Sequence, residues 1–438
     1  MSRVLLRLMI FLPGPLALLQ AQEVPISQQE ALTRALEANT GLKIAGADFE
    51  QARADYRQTR SVFLPSISAS HTGFTTTNPL MAFGSRLNQE VLQASDFDPA
   101  RLNDPDRTDN FATRLEVYQP VVQVSGLYQR QAARLKMEAT ALQRERSRDY
   151  LALESRKAYM QLQLAYKGVG VLEKALEAAT ANEKIAADRF REGLLQKADL
   201  LAASVRVGEV SNQLQAARSQ VENASDYLGF LMNAPQPGTY RPADSLAKVP
   251  YEPRLQDAVP ENRPDLQAVK LASEAYQKAY QADKMAFLPT LNAFGSYELF
   301  DDELFRTGAS GYTLGAQLSW DLFKGSQRLA RAEKSKAELR KSELEWEQYQ
   351  ARSNMELARA QRNFEDARLN LETSEQALRQ SGESLRIRTN RYGEGLEKTA
   401  DLLFAETQYA QKQLEYYQTL FEYNYALAYL DFLMQDNP

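Results

Sequence analysis

Two stretches of the chain carry the same reactive residue types at the same spacing. Residues 189–203 read RFREGLLQKADLLAA and residues 391–405 read RYGEGLEKTADLLFA. Each has an arginine, an aromatic residue, Gly-Leu (Gly193-Leu194 and Gly395-Leu396), and then Asp-Leu-Leu-x-Ala, with the aspartate at Asp199 or Asp401. Arginine and aspartate near one another can form ion pairs, cap helices or line an ion path. A phosphate cradle needs a strand leading into its glycines, and these glycines sit between helical stretches instead. No P-loop or dinucleotide fingerprint occurs anywhere else. Nucleophilic or general acid–base chemistry fares no better. The chain has no cysteine and one histidine, His71, which stands alone in a strand-like segment and reads as a surface residue. Disulfides, thiolate metal sites, histidine metal clusters, thiol catalysis and lipidation of an N-terminal cysteine are excluded. With 52 Lys+Arg against 57 Asp+Glu and a net charge of −5, there is no basic field for nucleic acid. The sequence predicts neither an enzyme nor a cofactor.

The elements that position the two stretches are helices of unusual length. From about 125 to 191 no proline occurs, and Ala158, Leu162, Ala165, Val169, Leu172, Leu176 and Ala179 mark a heptad seam. The seam returns 202 residues later as Ala360, Phe364, Ala367, Leu371, Ser374, Leu378, Ser381 and Leu385. Gly193-Leu194 and Gly395-Leu396 mark reversals into shorter helices, about 197–232 and 399–434. Ser27 with Glu30 opens a further helix running to about residue 60. At 1.5 Å per residue a helix of about 65 residues is roughly 100 Å long, so only other long helices can cover it.

The repeat extends beyond the helices. Tyr227-Leu228 and Leu231-Met232 recur as Tyr429-Leu430 and Leu433-Met434, and Phe63-Leu64-Pro65 recurs as Phe287-Leu288-Pro289. The chain is a tandem duplication, 22–232 and 265–438, joined by a linker at 233–264 that holds seven prolines. Residues 1–21, with Arg3 and Arg7 before an apolar stretch ending near Ala21, read as a secretory signal peptide.

After each Phe-Leu-Pro triplet the period switches to two. Leu291, Ala293, Gly295, Tyr297 and Leu299 alternate with polar residues, as do Tyr312, Leu314, Ala316, Leu318, Trp320 and Leu322. Noisier strands fall at 66–74 and 111–121, separated by a long exposed excursion at roughly 75–110. One hairpin per half (about 64–122 and 288–323) makes four strands. Tilted strands of about 9–11 residues can span an outer membrane, but lipid tolerates no open sheet edge. Four strands cannot close, so a membrane form must be oligomeric. Two chains would give a packed interior, three an open lumen. Tyr297, Tyr312 and Trp320 fit an aromatic girdle at the lipid interface.

In this order, the duplication, the Phe-Leu-Pro strand entries, the exits at Gln119-Pro120-Val121-Val122 and Trp320-Asp321-Leu322-Phe323-Lys324-Gly325, the Asn262-Arg263-Pro264-Asp265-Leu266 helix start and the two Arg-aromatic-x-x-Gly-Leu turns resemble the TolC family of outer-membrane efflux proteins. The resemblance covers nearly the whole mature chain. It implies a mainly helical homotrimer, with a twelve-stranded outer-membrane barrel continuous with a twelve-helix periplasmic tunnel and an equatorial belt near the linker. It implies a passive duct in the Gram-negative outer membrane, docked by its turns to a periplasmic adaptor (membrane fusion) protein and an inner-membrane transporter. Family members close the periplasmic tip with a tyrosine, two aspartates three apart and an arginine. Tyr392 and Asp401 occupy the first two positions, whereas the second aspartate falls on Phe404 and the arginine on Glu397. The resemblance therefore carries over one acidic ring beside an aromatic ring. Asp401 and Asp199 are also placed where a helix N-terminus favours an acid, and Arg189 and Arg391 where a structural ion pair or helix-dipole contact is expected. The alternative reading is a periplasmic coiled-coil scaffold or adaptor without a pore.

Overall fold

The computed structural model describes residues 23–234, 239–250, 253 and 256–434. The expected signal segment at 1–21 lies outside them, as does part of the linker. In chain order the elements are β1 (Val24–Ile26), α1 (Gln28–Ala38), α2 (Thr40–Gln58), β2 (Ser66–Thr76), α3 (Pro79–Asn88), α4 (Pro99–Asn103), β3 (Thr108–Val122) and α5 (Val124–Arg191). There follow α6 (Lys197–Leu231), β4 (Tyr240–Pro242), α7 (Pro264–Met285), β5 (Thr290–Asp301), β6 (Ala309–Ser319), α8 (Gln327–Gly393) and α9 (Thr399–Met434). The chain divides into two compact units, one holding residues up to 43 with 147–259 and 354–435, the other holding 44–146 and 260–353.

The first unit is helical and its core follows the heptad seam. Ala158, Leu162, Leu172 and Ala179 are buried, as are Ala360, Phe364, Ala367, Leu371 and Ser374 of the second copy. Ala31 and Ala35 of α1, Leu228 and Leu231 of α6, and Ile26 and Tyr240 of the short parallel pair β1–β4 complete one cluster around Tyr159 and Leu162. Small alanines let the helix backbones approach, and the large residues between them fill the remaining space. The expected single helix from 27 to 60 is in fact two. Asn39 ends α1 with ψ 128°, donates from Nδ2 to the Leu231 carbonyl (2.9 Å), and accepts from the Leu42 N–H (3.2 Å). A side-chain amide that caps one helix and ties down the end of another outweighs helix continuity.

The second unit holds a four-stranded antiparallel sheet in the order β2-β3-β5-β6. The strands outlast the sequence reading at most ends, except that β6 stops at Ser319, leaving Trp320 and Leu322 beyond it. The excursion after β2 is also more ordered than its composition indicates. Asn78 caps α3 through the Met81 N–H (3.2 Å), with Pro79 as the first helical residue. Buried Gln89 then ties the segment down by donating to the carbonyls of Asp109 and Asp301 and to Asn110 Oδ1. Among the described residues no helix is long and apolar enough to cross a membrane.

Buried Arg263 fixes the start of α7, bonding Asp265 through Nε (2.7 Å) and Nη2 (2.9 Å) and Ser353 at 2.9 Å. Burial raises the Asp265 pKa, but hydrogen bonds from Arg263 and Tyr349 outweigh it and hold the carboxyl below its usual range. The Asn-Arg-Pro-Asp-Leu signature is thus a structural hub.

Candidate functional site: two helix turns and a one-sided sheet

The reversals at the ends of α5 and α8 have one backbone. Gly193 and Gly395 sit at φ +76° and +78°, a region that an L side chain enters at a cost. Leu194 N–H bonds the Arg189 carbonyl and Leu396 N–H bonds the Arg391 carbonyl, both at 2.9 Å. Gly193 and Gly395 N–H bond the carbonyls of Phe190 and Tyr392, both at 3.0 Å. These paired bonds satisfy the last carbonyls of each long helix. Leu194 and Leu396, next after the glycines, are 71 % and 63 % exposed.

The side chains break the symmetry. Arg391 stays within its own hairpin, reaching Glu397 Oε2 (2.8 Å) and the Leu396 carbonyl (3.2 Å). Arg388 holds the other oxygen of Glu397 at 2.5 Å, so this carboxylate lies between two guanidinium groups. Arg189 instead crosses to the second hairpin. Its Nη2 donates to the carbonyls of Tyr392 (2.7 Å) and Gly393 (3.2 Å), and its guanidinium lies 4.6 Å from the Tyr392 ring centroid. A cation on the C-terminal carbonyls of a helix meets the negative end of the macrodipole, here that of the neighbouring hairpin. The tyrosine under it is 2 % exposed, with its hydroxyl 3.4 Å from Thr399 Oγ1.

Higher up, Asn182 of α5 donates to Glu406 of α9 in a second link between the hairpins. Burial pushes the Glu406 carboxyl up to about 6, against the opposing pull of Arg206 and the Asn182 hydrogen bond. Sequence reasoning passed over Glu406, whose signal was an acid in the otherwise apolar run Leu402-Leu403-Phe404-Ala405.

Asp199 and Asp401 both lie in the first turn of their helices, where the macrodipole favours them. Asp401 is exposed, and Phe404, one turn on, is 61 % exposed. Tyr392 is not beside them on a free surface but under Arg189, and Glu397 is taken up by its two arginines. The structure therefore separates the four tip residues into an exposed pair and a structural pair.

In the sheet, register assigns each side chain to a face. One face holds Ile67, Val117, Gly295 and Leu314 in one row and Ala69, Leu115, Tyr297 and Tyr312 in the next. The opposite face holds Ser68, Glu116, Ser296 and Thr313, then Ser70, Arg114, Glu298 and Gly311. Arg114 and Glu298, directly opposed, form a 2.8 Å ion pair. Phe294 lies over Gly315, where a Cβ would come within 2.6 Å of the ring, so a larger residue there would force the ring to move. Where helices meet strands, Phe63, Leu64, Leu288, Trp320, Leu322 and Phe323 (84 %) are all exposed, with the Trp320 indole donating to the Phe287 carbonyl at 3.0 Å. The sequence reading singles out Trp320 for a membrane interface, and not its exposed apolar neighbours in the Phe-Leu-Pro and Leu-Phe-Lys-Gly segments. His71 stays in β2, near Thr113 (2.9 Å) and stacked 4.8 Å from Phe305, and among the described residues no cluster of metal-ligating side chains occurs.

A family model described as outer membrane efflux protein matches residues 31–234 and 255–434. Several solved structures share the fold at low identity. CusC, described in terms of folding and transmembrane channel formation, is 17 % identical with a TM-score of 0.79, covering 97 % of each chain. The CmeC outer membrane channel of Campylobacter jejuni is 17 % identical at TM-score 0.77, over 98 % of this chain and 93 % of its own. The open-state MtrE outer membrane channel of Neisseria gonorrhoeae is 20 % identical at 0.73, over 92 % and 88 %. No curated protein matches.

Proposed function

The chain belongs to the outer membrane efflux protein family, and from that premise we propose how this outer-membrane export channel is assembled. It is a transport protein and not an enzyme. Family membership leaves the non-pore scaffold or adaptor without support.

Three copies close their sheets into one twelve-stranded barrel, with β6 of each chain pairing with β2 of the next. The observation that carries this reading is a sheet with one apolar face and two edge strands, β2 and β6, whose outer edges are unpaired among the described residues. In hydrocarbon each unpaired backbone group costs several kcal/mol, so such a sheet must close through copies of itself. The row of Leu115, Tyr297 and Tyr312 then faces lipid, with Trp320 at the membrane rim. The face bearing Glu116 and Arg114 lines the lumen. The helices form a periplasmic tunnel, and Asp401 and Phe404 stand at its entrance, where three carboxylates around one axis attract cations. Exposed Leu194 and Leu396 offer apolar knobs to a periplasmic adaptor protein, which links the duct to an inner-membrane transporter that supplies the energy. The N-terminal signal segment directs the chain out of the cytoplasm toward the outer membrane.

Native mass spectrometry and unheated-gel mobility of protein extracted from outer membranes test the assembly. A heat-sensitive trimer that conducts ions in planar bilayers is expected. A water-soluble monomer with folded strands would refute it.

A further inference from the structure

On the polar face of the sheet the described strands carry three charges. Glu116 and Arg114 belong to β3 and Glu298 to β5; no Asp, Glu, Lys or Arg of β2 or β6 lies on that face. Arg114 and Glu298 neutralise each other at 2.8 Å. Glu116 is flanked in its row by Ser68 and Ser296, is exposed, and has no ion-pair partner among the described residues. One carboxylate per chain is thus left uncompensated on a surface that, apart from the Arg114–Glu298 pair, is made mainly of serine, threonine, asparagine, glutamine, glycine, alanine and aromatic residues.

Resting on the barrel reading above, we propose that Glu116 is an ion-selectivity determinant inside the membrane-spanning segment, separate from Asp401 of the helical unit. Three copies at one height around the axis make a ring of negative charge in a space walled by protein and lipid, where field lines are concentrated. The ring draws cations and positively charged cargo into the barrel and holds back anions. The neighbouring Arg114–Glu298 pair keeps the adjacent row neutral, so Arg114 limits the strength of the preference while Glu116 sets its sign.

The chain has no cysteine, so Glu116→Cys introduces its sole thiol. Trimers of wild type, Glu116→Gln, Glu116→Lys, Glu116→Cys and Arg114→Gln are compared in planar bilayers under a potassium chloride gradient. The expected cation-over-anion permeability ratio falls at least about twofold in Glu116→Gln, falls further in Glu116→Lys, and rises in Arg114→Gln. In Glu116→Cys, a negatively charged thiol reagent restores the preference and a positively charged one reduces it further. Trimers that conduct with an unchanged ratio in Glu116→Gln and Glu116→Lys, or a thiol that water-soluble reagents never reach, overturn the inference while leaving the duct intact. A wild-type oligomer that passes no current overturns the duct reading itself.

Discussion

The two helix reversals share a backbone and differ in where their charges go. At the first, Arg189 leaves its own hairpin and binds the carbonyls and tyrosine ring of the second. At the second, Arg391, 202 residues on, turns inward to Glu397. The same division holds one step higher. Ser204 of α6 bonds Glu183 of its own hairpin at 2.6 Å, whereas Glu406, the residue at the same repeat position of α9, takes its hydrogen bond from Asn182 of the other. Duplication preserved the turns while substitution redirected the contacts. In both links α5 of the first hairpin donates and the second hairpin receives, so the second hairpin is held in place at its tip by the first. In the proposed duct, freeing the tip of α8 and α9 means breaking those two links.

Removing the donor is the most direct way to break the asymmetry. Arg189→Ala should cost about 2 kcal/mol locally, from two charged hydrogen bonds and a cation–ring contact. Amide exchange at residues 391–396 should accelerate and bilayer conductance should rise. Unchanged exchange there would mean the crossing contact holds nothing. The shared backbone makes the opposite demand. Gly193→Ala and Gly395→Ala should each cost about 1–2 kcal/mol, because both force a side chain into positive φ. Unequal losses in thermal unfolding would show that the turns are not equivalent.

Glu406 offers a smaller effect with a definite sign. Its folded pKa of about 6 lies above the usual 4.5, so the folded state holds the proton more tightly than the unfolded chain. Stability therefore falls as pH rises from about 4.5 through 6, by on the order of 1 kcal/mol after allowing for partial exposure. Glu406→Gln should abolish that decline, and its melting temperature should change less between pH 4.5 and 7 than that of wild type. An identical slope in both would remove Glu406 from the account. The smallest effect on folding is expected at the two aspartates. Asp401→Ala and Asp199→Ala should each shift stability by at most about 0.5 kcal/mol. Only the former should raise conductance or weaken block by cations, and single-channel traces alike for both would end the special role of Asp401.

The sequence displayed whatever repeats or has a period. Heptads, alternation and the glycine pair located the helix turns and strands to within a few residues, because each follows from local chain geometry. The break at Asn39 was hidden, since its cause is the carbonyl of Leu231, distant in sequence. α3 was hidden for a related reason: Gln89 secures its segment through backbone groups of β3 and β5. At the tip, residue identity marked Asp401 as exposed and acidic. It did not tell that Tyr392 is buried beneath Arg189 or that Glu397 is held by Arg388 and Arg391, because those contacts depend on which side chains the packing of the two hairpins brings within reach. The uncompensated charge of Glu116 became visible only when register showed which acids share a face with Arg114.

The pairing of β3 with β5 joins the ribbon of one repeat to the ribbon of the other through an ordinary antiparallel seam. In the proposed cylinder, the seam from β6 to the next molecule's β2 is of the same kind. The stave of the wall is then the half-chain, six to a circumference, and the proline-rich tether keeps staves in pairs while its β4 packs beside β1 in the helical core. Such a wall has no privileged boundary between molecules. Its circumference is fixed by how staves fit side by side, and a polypeptide cut within the tether would still bring complete staves to the ring.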